Sequence, residues 1–188
     1  RLLLTSGGVE NPTIHEALVG MLPRPIEECT ALCIPTAQYG HPYVGPGVKP
    51  WGFVSGNEQS RMTQLGWGAL GLLELTALPS LPDERWVPVV QEADAFLVAG
   101  GDAMYLAHWM RESGLAALLP QLDEAVWVGL SAGSMVMTPR IGRPFMSWEP
   151  PWGDDRALGV VDFAIYPHLE HPNQIGRASC RERVFSSV

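Results

Sequence analysis

The first candidate for chemistry is a serine flanked by small residues, in the segment Gly129-Leu-Ser131-Ala-Gly133. It follows a short apolar run, Ala125–Val128, and precedes a stretch that can form a helix. A strand, a tight turn and a helix in that order form a nucleophile elbow, which holds a serine hydroxyl above the carboxyl end of a sheet. Glycine lets such a turn reverse without steric clashes. The pattern therefore predicts that Ser131 is a nucleophile.

A second glycine turn, Gly100-Gly101-Asp102, also follows an apolar run, Ala95–Ala99. Asp102 is predicted to cap the helix that begins after it, and glycine lets a backbone N–H group come close to a ligand. The N–H groups of Gly101 and of Ala132, the residue after the serine, are therefore predicted to stabilise an oxyanion that forms on a substrate.

A serine at its ordinary pKa is a poor nucleophile and needs a neighbouring base. Three of the five histidines lie in predicted helices or in a long loop: His15, His108 and His41. The other two, His168 and His171, follow the strand-like run Val160–Ile165. A histidine after a parallel strand lies at the same sheet edge as the elbow, so either could be the base, and His168 is favoured.

The elements that must position these residues alternate between strands and helices along the chain. The predicted strands are Arg1–Ser6, Thr30–Pro35, Gly68–Leu75, Ala95–Ala99, Ala125–Val128 and Val160–Ile165. The predicted helices run from Pro12, capped by Asn11, to Leu22, over Asn57–Leu65 and Asp83–Ala93, and from Asp102 to Ser113 with a second piece to Glu124. This alternation predicts a parallel sheet with helices on its faces. The long connection Thr36–Gly56 is either a binding loop or a plain surface excursion.

Composition narrows the classes of function. The chain has 188 residues with a net charge of −8, and no basic stripe that would favour nucleic-acid binding. No apolar run approaches the roughly 20 residues that span a bilayer, and no signal peptide opens the chain, so we expect a cytoplasmic protein without a membrane partner. Cys29 and Cys33 are interpreted as small buried hydrophobes. No metal or organic cofactor is implied.

The last part of the chain differs from the rest. From about Gln174 the sequence becomes Arg-rich, and this run resembles a sequencing adapter read in frame. We therefore expect one domain over residues 1–173, incomplete at its carboxyl end, and a non-native tail over residues 174–188.

Three segments, taken as a set, resemble the peptidase E and cyanophycinase family: Phe96–Asp102, Val128–Gly133 and Tyr166-Pro-His168. The resemblance implies a three-layer α/β/α fold like that of class I glutamine amidotransferases (flavodoxin-like), in which serine replaces the usual cysteine. The family serine falls on Ser131 and the family histidine on His168. The family's Gly-Gly oxyanion turn falls on Gly100 and Gly101.

The activity that the resemblance implies is that of a serine peptidase on short peptides, in particular a dipeptidase that cleaves beside aspartate. The acid of the triad is expected beyond the histidine, and Glu170, two residues after His168, is the fallback. Other acids that remain open are Glu149, Asp154 and Asp155. Asp102 stands where the family usually has Asn and is predicted to contact substrate. Arg140 and Arg143, just past the elbow helix, are the candidate cations for an acidic substrate side chain, and Arg140 is the one selected.

Two other functions remain open from the sequence. A non-catalytic domain of the same fold could use the pocket to bind a small molecule, which would be favoured if Ser131 were buried or pointed away from every histidine. An α/β-hydrolase esterase would share the elbow but would not need the glycine turn at Gly100-Gly101.

Overall fold

The structure, a computed structural model, describes residues 1–58 and 60–168. Five strands form one sheet in the order β1-β5-β4-β2-β3, and every neighbouring pair is parallel. The strands are β1 (Leu2–Thr5), β2 (Thr30–Ile34), β3 (Ala69–Leu72), β4 (Ala95–Val98) and β5 (Val126–Leu130). Because all five run in the same direction, their carboxyl ends meet at one edge. The predicted parallel α/β fold is confirmed.

Within the described ranges, six α-helices connect or follow these strands. They are α1 (Pro12–Met21), α2 (Val48–Ser55), α3 (Asp83–Gln91), α4 (Ala103–Glu112), α5 (Leu115–Leu118) and α6 (Ala132–Met135). Short 3₁₀ helices lie at Ile26–Glu28, Thr36–Gln38, Met62–Gln64, Leu78–Ser80, Leu119–Gln121 and Arg143–Phe145. The start of α1 follows the prediction, because the Asn11 side chain accepts a hydrogen bond from the Ile14 N–H at 2.9 Å and proline occupies the first turn.

The central strands β2, β4 and β5 are buried on both faces of the sheet, which is why they are apolar at successive positions. In β2, Leu32 and Ile34 belong to one core, while Ala31 and Cys33 belong to the other. Trp86 of α3 and Leu106 and Met110 of α4 pack in the first core; Leu18 of α1 and Phe53 of α2 pack in the second. The result is a three-layer α/β/α arrangement.

The two cysteines before and within β2 are buried and unbridged, as predicted. Burial raises the pKa of Cys33 to about 11, so its thiol is neutral and inert at neutral pH. Among the described residues, no helix has the length and apolar character needed to cross a membrane.

Three predicted elements differ from the structure. The helix predicted over Asn57–Leu65 is wrong apart from the 3₁₀ turn Met62–Gln64, and the long connection Thr36–Gly56 contains a 3₁₀ helix and α2. The strand predicted over Val160–Ile165 does not form. A strand needs an extended neighbour, and here the Val161 N–H bonds to the Met137 carbonyl, in the irregular segment after α6. Glu170, His171 and residues 174–188 lie outside the described residues.

Candidate active site

Ser131 lies in the tight turn between β5 and α6, with φ 50° and ψ −105°. A non-glycine residue rarely adopts positive φ, and such strain persists only where the surrounding structure enforces it. The Ser131 N–H donates to the Thr5 carbonyl at 3.0 Å, and the Ser131 carbonyl accepts from the N–H groups of Ser134 and Met135, each at 2.9 Å. Ser131 therefore has the strained backbone conformation of a nucleophile elbow, and hydrogen bonds on both sides of it fix that conformation.

The small residues around Ser131 are required by close backbone contacts. A Cβ atom on Gly129 would lie 2.4 Å from the Gly133 carbonyl oxygen, and one on Gly133 would lie 2.6 Å from the Val98 carbonyl oxygen. Neither position has room for a side chain, since real Cβ contacts are never this short. Because Gly129 and Gly133 have no side chains, the start of α6 can pack in direct contact with β4 and β5.

A second serine, Ser134, ties the elbow to β1. Its hydroxyl oxygen is fully buried, accepts from the Thr5 N–H at 2.9 Å, and lies 2.8 Å from the carbonyl oxygens of Thr5 and Gly129. The sequence analysis did not predict this role, because a lone serine in the first turn of a helix carries no distinctive signal.

The His168 side chain reaches the serine from the irregular segment after α6. Its Nε2 atom lies 2.9 Å from Ser131 Oγ, and both residues are partly exposed. The segment is held beside the site by the buried Pro167 and by Tyr166, whose ring lies 5.1 Å from that of Phe145. The two side chains predicted to act together therefore lie within hydrogen-bond distance, as required for proton transfer.

The second glycine turn adjoins the elbow, as the sequence predicts. A Cβ atom on Gly100 would lie 3.3 Å from Ser131 Cβ, and Gly101 has φ 137° and no room for a side chain against the Ala37 carbonyl. Within residues 1–58 and 60–168, no protein group accepts a hydrogen bond from the N–H of Gly101 or of Ala132. Two backbone donors beside Ser131 are therefore available to a ligand.

Asp102 is the last residue of this turn, and its side chain is buried and bonded to backbone N–H groups. One carboxylate oxygen accepts from the Tyr105 N–H at 2.8 Å and caps α4, as predicted; the other accepts from the N–H groups of Ser147 and Trp148 at 3.1 and 2.9 Å. Burial raises the pKa of Asp102, and the backbone hydrogen bonds oppose that rise. The structure thus uses Asp102 to join α4 to the 147–148 loop, whereas the sequence predicted a contact with substrate.

The acids and the cation proposed from the sequence are mostly engaged elsewhere. Arg140 is exposed and pairs with Asp155, and Asp154 pairs with Arg156 at 2.7 Å. Glu149 is exposed. Glu170, the fallback acid, lies outside the described residues.

The other described histidines, His15, His41 and His108, lie on other elements. His15 belongs to α1, and the His41 ring stacks edge-on against Tyr43 in the loop before α2. His108 belongs to α4 and packs among three tryptophan rings, those of Trp109, Trp148 and Trp152. Of the histidines that the structure describes, His168 is therefore the one beside Ser131.

A parallel α/β sheet with a serine–histidine pair at its carboxyl edge defines a hydrolase of the serine type. The comparison with protein families gives a narrower result, because the model for peptidase family S51 matches residues 2–186. The chain belongs to peptidase family S51, and by that family it is a serine peptidase. The matched range includes part of the 174–188 segment, whose origin stays a prediction.

Solved structures agree on the fold. A candidate peptidase E from Listeria monocytogenes EGD-e shares 17% identity over 92% of this chain and 81% of its own, with a TM-score of 0.65. A peptidase from an acI-B1 actinobacterium shares 21% identity over 93% of this chain and 69% of its own, with a TM-score of 0.58. A search of curated proteins found no match.

Proposed function

We propose that this protein is a serine dipeptidase that cleaves short peptides beside an aspartate, with Ser131 as nucleophile and His168 as its base. The observation that carries the proposal is the 2.9 Å contact between Ser131 Oγ and His168 Nε2, at a serine held with positive φ. A strained serine next to an imidazole is the arrangement that activates a hydroxyl for attack on a carbonyl.

The chemistry follows from the positions of these groups. Ser131 Oγ attacks the carbonyl carbon of the peptide bond while its proton moves to His168 Nε2. The carbonyl oxygen becomes an oxyanion. Two N–H groups stabilise it by hydrogen bonds: that of Gly101, in the turn with Gly100, and that of Ala132, at the start of α6. The intermediate collapses as His168 gives that proton to the leaving amine. Water then attacks the acyl carbon and gives a proton to His168, which passes it to Ser131 Oγ as the bond between Oγ and the acyl carbon breaks and the carboxylic acid leaves.

We propose Glu170 as the group that orients His168, on sequence grounds alone. Its position two residues after the base is the basis of this assignment, while Asp154 and Asp155 are held in ion pairs with arginines. The matched variants Glu170→Gln and Glu149→Gln distinguish the two remaining acids. We expect the first to lower kcat strongly and the second to leave it unchanged.

The function is tested with an aspartyl dipeptide and the purified full chain. Ser131→Ala should lower kcat by about 10⁴-fold or more without changing the thermal midpoint by more than a few degrees. An unchanged rate in Ser131→Ala would refute the peptidase mechanism. Binding of the dipeptide without any turnover by the wild-type chain would favour the non-catalytic binding domain, which the partly exposed and histidine-paired Ser131 does not favour.

A further inference from the structure

Backbone strain marks a third position besides the proposed catalytic pair. In the part of the chain that the structure describes, three non-glycine residues have positive φ: Ser131, His168 and Arg61, the last with φ 49°. Arg61 precedes the 3₁₀ helix Met62–Gln64, and its carbonyl accepts from the Gln64 N–H at 2.9 Å. Glycine or asparagine would make this turn at lower cost, so the turn alone does not explain an arginine here.

The loop that carries Arg61 lies against the turn after β1, at the same sheet edge as the nucleophile. A Cβ atom on Gly8 would lie 3.0 Å from both Ser60 Cβ and Met62 Sδ. The Gly8 N–H donates to the Thr5 hydroxyl at 2.9 Å, and the Thr5 carbonyl accepts from the Ser131 N–H at 3.0 Å. Three consecutive contacts thus connect the Arg61 loop to Ser131.

Most of the arginines that the structure describes pair with a carboxylate or donate to a carbonyl, whereas Arg61 does neither. Ion pairs hold Arg1, Arg24, Arg140 and Arg156. Arg143 donates to a carbonyl, and Arg111 donates to carbonyls and lies over the Trp152 ring. Arg61 is exposed, and its guanidinium has no hydrogen bond or ion pair with any residue in 1–58 or 60–168.

The same edge also carries a negative charge. The Glu10 carboxylate packs against Gly7, which lies in the turn after β1. A Cβ atom added to Gly7 would be within 2.7 Å of both carboxylate oxygens. An anionic substrate that approaches this edge is repelled by Glu10 unless a cation nearby offsets it. Arg140, the cation predicted from the sequence, is held by Asp155 instead.

We infer that Arg61 binds the side-chain carboxylate of the substrate's aspartate and so determines the preference for an acidic residue. The inference rests on the proposed function. A guanidinium forms paired, charge-assisted hydrogen bonds with a carboxylate, and its geometry suits that group better than an ammonium does. Arg61 is a specificity-determining residue in this scheme and takes no part in bond cleavage.

The test compares an aspartyl dipeptide with the asparaginyl dipeptide of the same shape and no charge. Arg61→Asn removes the charge with a residue that tolerates positive φ, Arg61→Lys keeps a charge, and Arg85→Asn removes another exposed arginine, in α3, as the control. We expect Arg61→Asn to lower kcat/KM for the aspartyl substrate about 10- to 100-fold, which is the loss of a hydrogen bond to a charged group. The asparaginyl substrate should change less than about twofold, Arg61→Lys should fall between, and Arg85→Asn should match wild type.

Equal losses on both substrates, or no loss on either, would overturn the inference and leave the peptidase function intact. Failure of the function itself shows differently, because hydrolysis would then persist in Ser131→Ala or be absent from the wild type. If the wild type cleaves neither dipeptide, calorimetry measures their binding to wild type and Arg61→Asn. A preference for the aspartyl dipeptide that Arg61→Asn abolishes supports the inference, and equal affinities overturn it.

Discussion

The nucleophile and its proposed base lie on two segments of very different construction. In the elbow, every residue from Ala132 to Thr138 is buried, and the preceding strand β5 lies between two neighbouring strands. In the segment 160–168, only Pro167 is buried, and no regular secondary structure forms. The backbone of Ser131 is enforced by the buried elements around it, whereas His168 lies in a mostly unburied segment without regular secondary structure.

This contrast indicates where the site can lose its geometry. A segment with little buried apolar surface opens locally at low free energy, while a buried strand opens only with the whole domain. We therefore expect the distance between Ser131 Oγ and His168 Nε2 to vary through movement of the histidine segment. Changes at the tightly packed glycines of the elbow should affect stability and activity together, and changes at His168 should affect activity alone.

The largest expected effect tests whether the two segments act as one catalytic unit. Ser131→Ala and His168→Asn should each lower kcat for an aspartyl dipeptide by about 10⁴- to 10⁶-fold, and the double variant should lose little more. Asparagine suits the positive φ of His168, at 64°, so the backbone is retained. Steady-state kinetics on the three variants measures this, and losses that multiply would contradict a shared mechanism.

A second prediction challenges the rigidity of the elbow. Gly129→Ala places a Cβ 2.4 Å from the Gly133 carbonyl oxygen, and the backbone must shift to accept it. We expect a loss of about 3–4 kcal/mol in the free energy of unfolding, measured by denaturant titration, together with a loss of activity.

The matched control is Gly20→Ala, near the end of α1, where no atom lies within 4 Å of the added Cβ. The same chemical change should stabilise the protein there by about 0.5–1 kcal/mol, since alanine favours a helix. A similar destabilisation at both positions would show that the elbow is no tighter than a surface helix.

The sequence predicted the rigid segment well and the loose one poorly. Apolar strands, glycine turns and an Asn cap are local signals, so β4, β5, α1 and the elbow could be predicted from residues near each other in the chain. The run Val160–Ile165 looks like a strand because its side chains are apolar, but a strand also needs a partner, which depends on distant parts of the chain. For the same reason, the sequence could not show that Asp102 reaches Ser147 and Trp148.

The third prediction concerns Asp102, which joins the turn beside the elbow to the 147–148 loop. Asp102→Asn leaves one acceptor oxygen for three N–H groups, because the amide NH2 cannot accept; either the Tyr105 N–H or those of Ser147 and Trp148 then lose their acceptor. We expect the unfolding free energy to fall by about 1–3 kcal/mol, because buried donors lose their acceptor. Thermal and denaturant unfolding measure the loss, and an unchanged stability would mean that these hydrogen bonds are dispensable.

The difference in unfolding free energy between wild type and Asp102→Asn should depend on pH in a definite direction. Burial raises the pKa of folded Asp102 above its ordinary value of 3.8, so the folded chain binds this proton more readily than the unfolded chain does. The stability of wild type relative to Asp102→Asn should therefore decrease as pH rises from about 3.8 through the folded-state pKa, and stay constant above it. An increase over that window would mean that the hydrogen bonds outweigh burial and lower the pKa.

The smallest expected effect concerns Arg140, on the surface segment between the two proposed catalytic residues. Its side chain is 63% exposed and pairs with Asp155, while backbone hydrogen bonds from Ile141 to Asp155 and from Ala157 to Pro139 hold the same segments together. Arg140→Ala should therefore lower the unfolding free energy by at most about 1 kcal/mol. Because salt screens exposed charges, the difference should shrink further in 1 M NaCl, where the Debye length is about 3 Å.

We also expect kcat/KM for the aspartyl dipeptide to stay within about twofold of wild type, since Asp155 already engages this guanidinium. A tenfold loss confined to the aspartyl substrate would instead make Arg140 the cation that reads the substrate, as its place after the elbow in the sequence predicts, and would transfer to it the role inferred for Arg61.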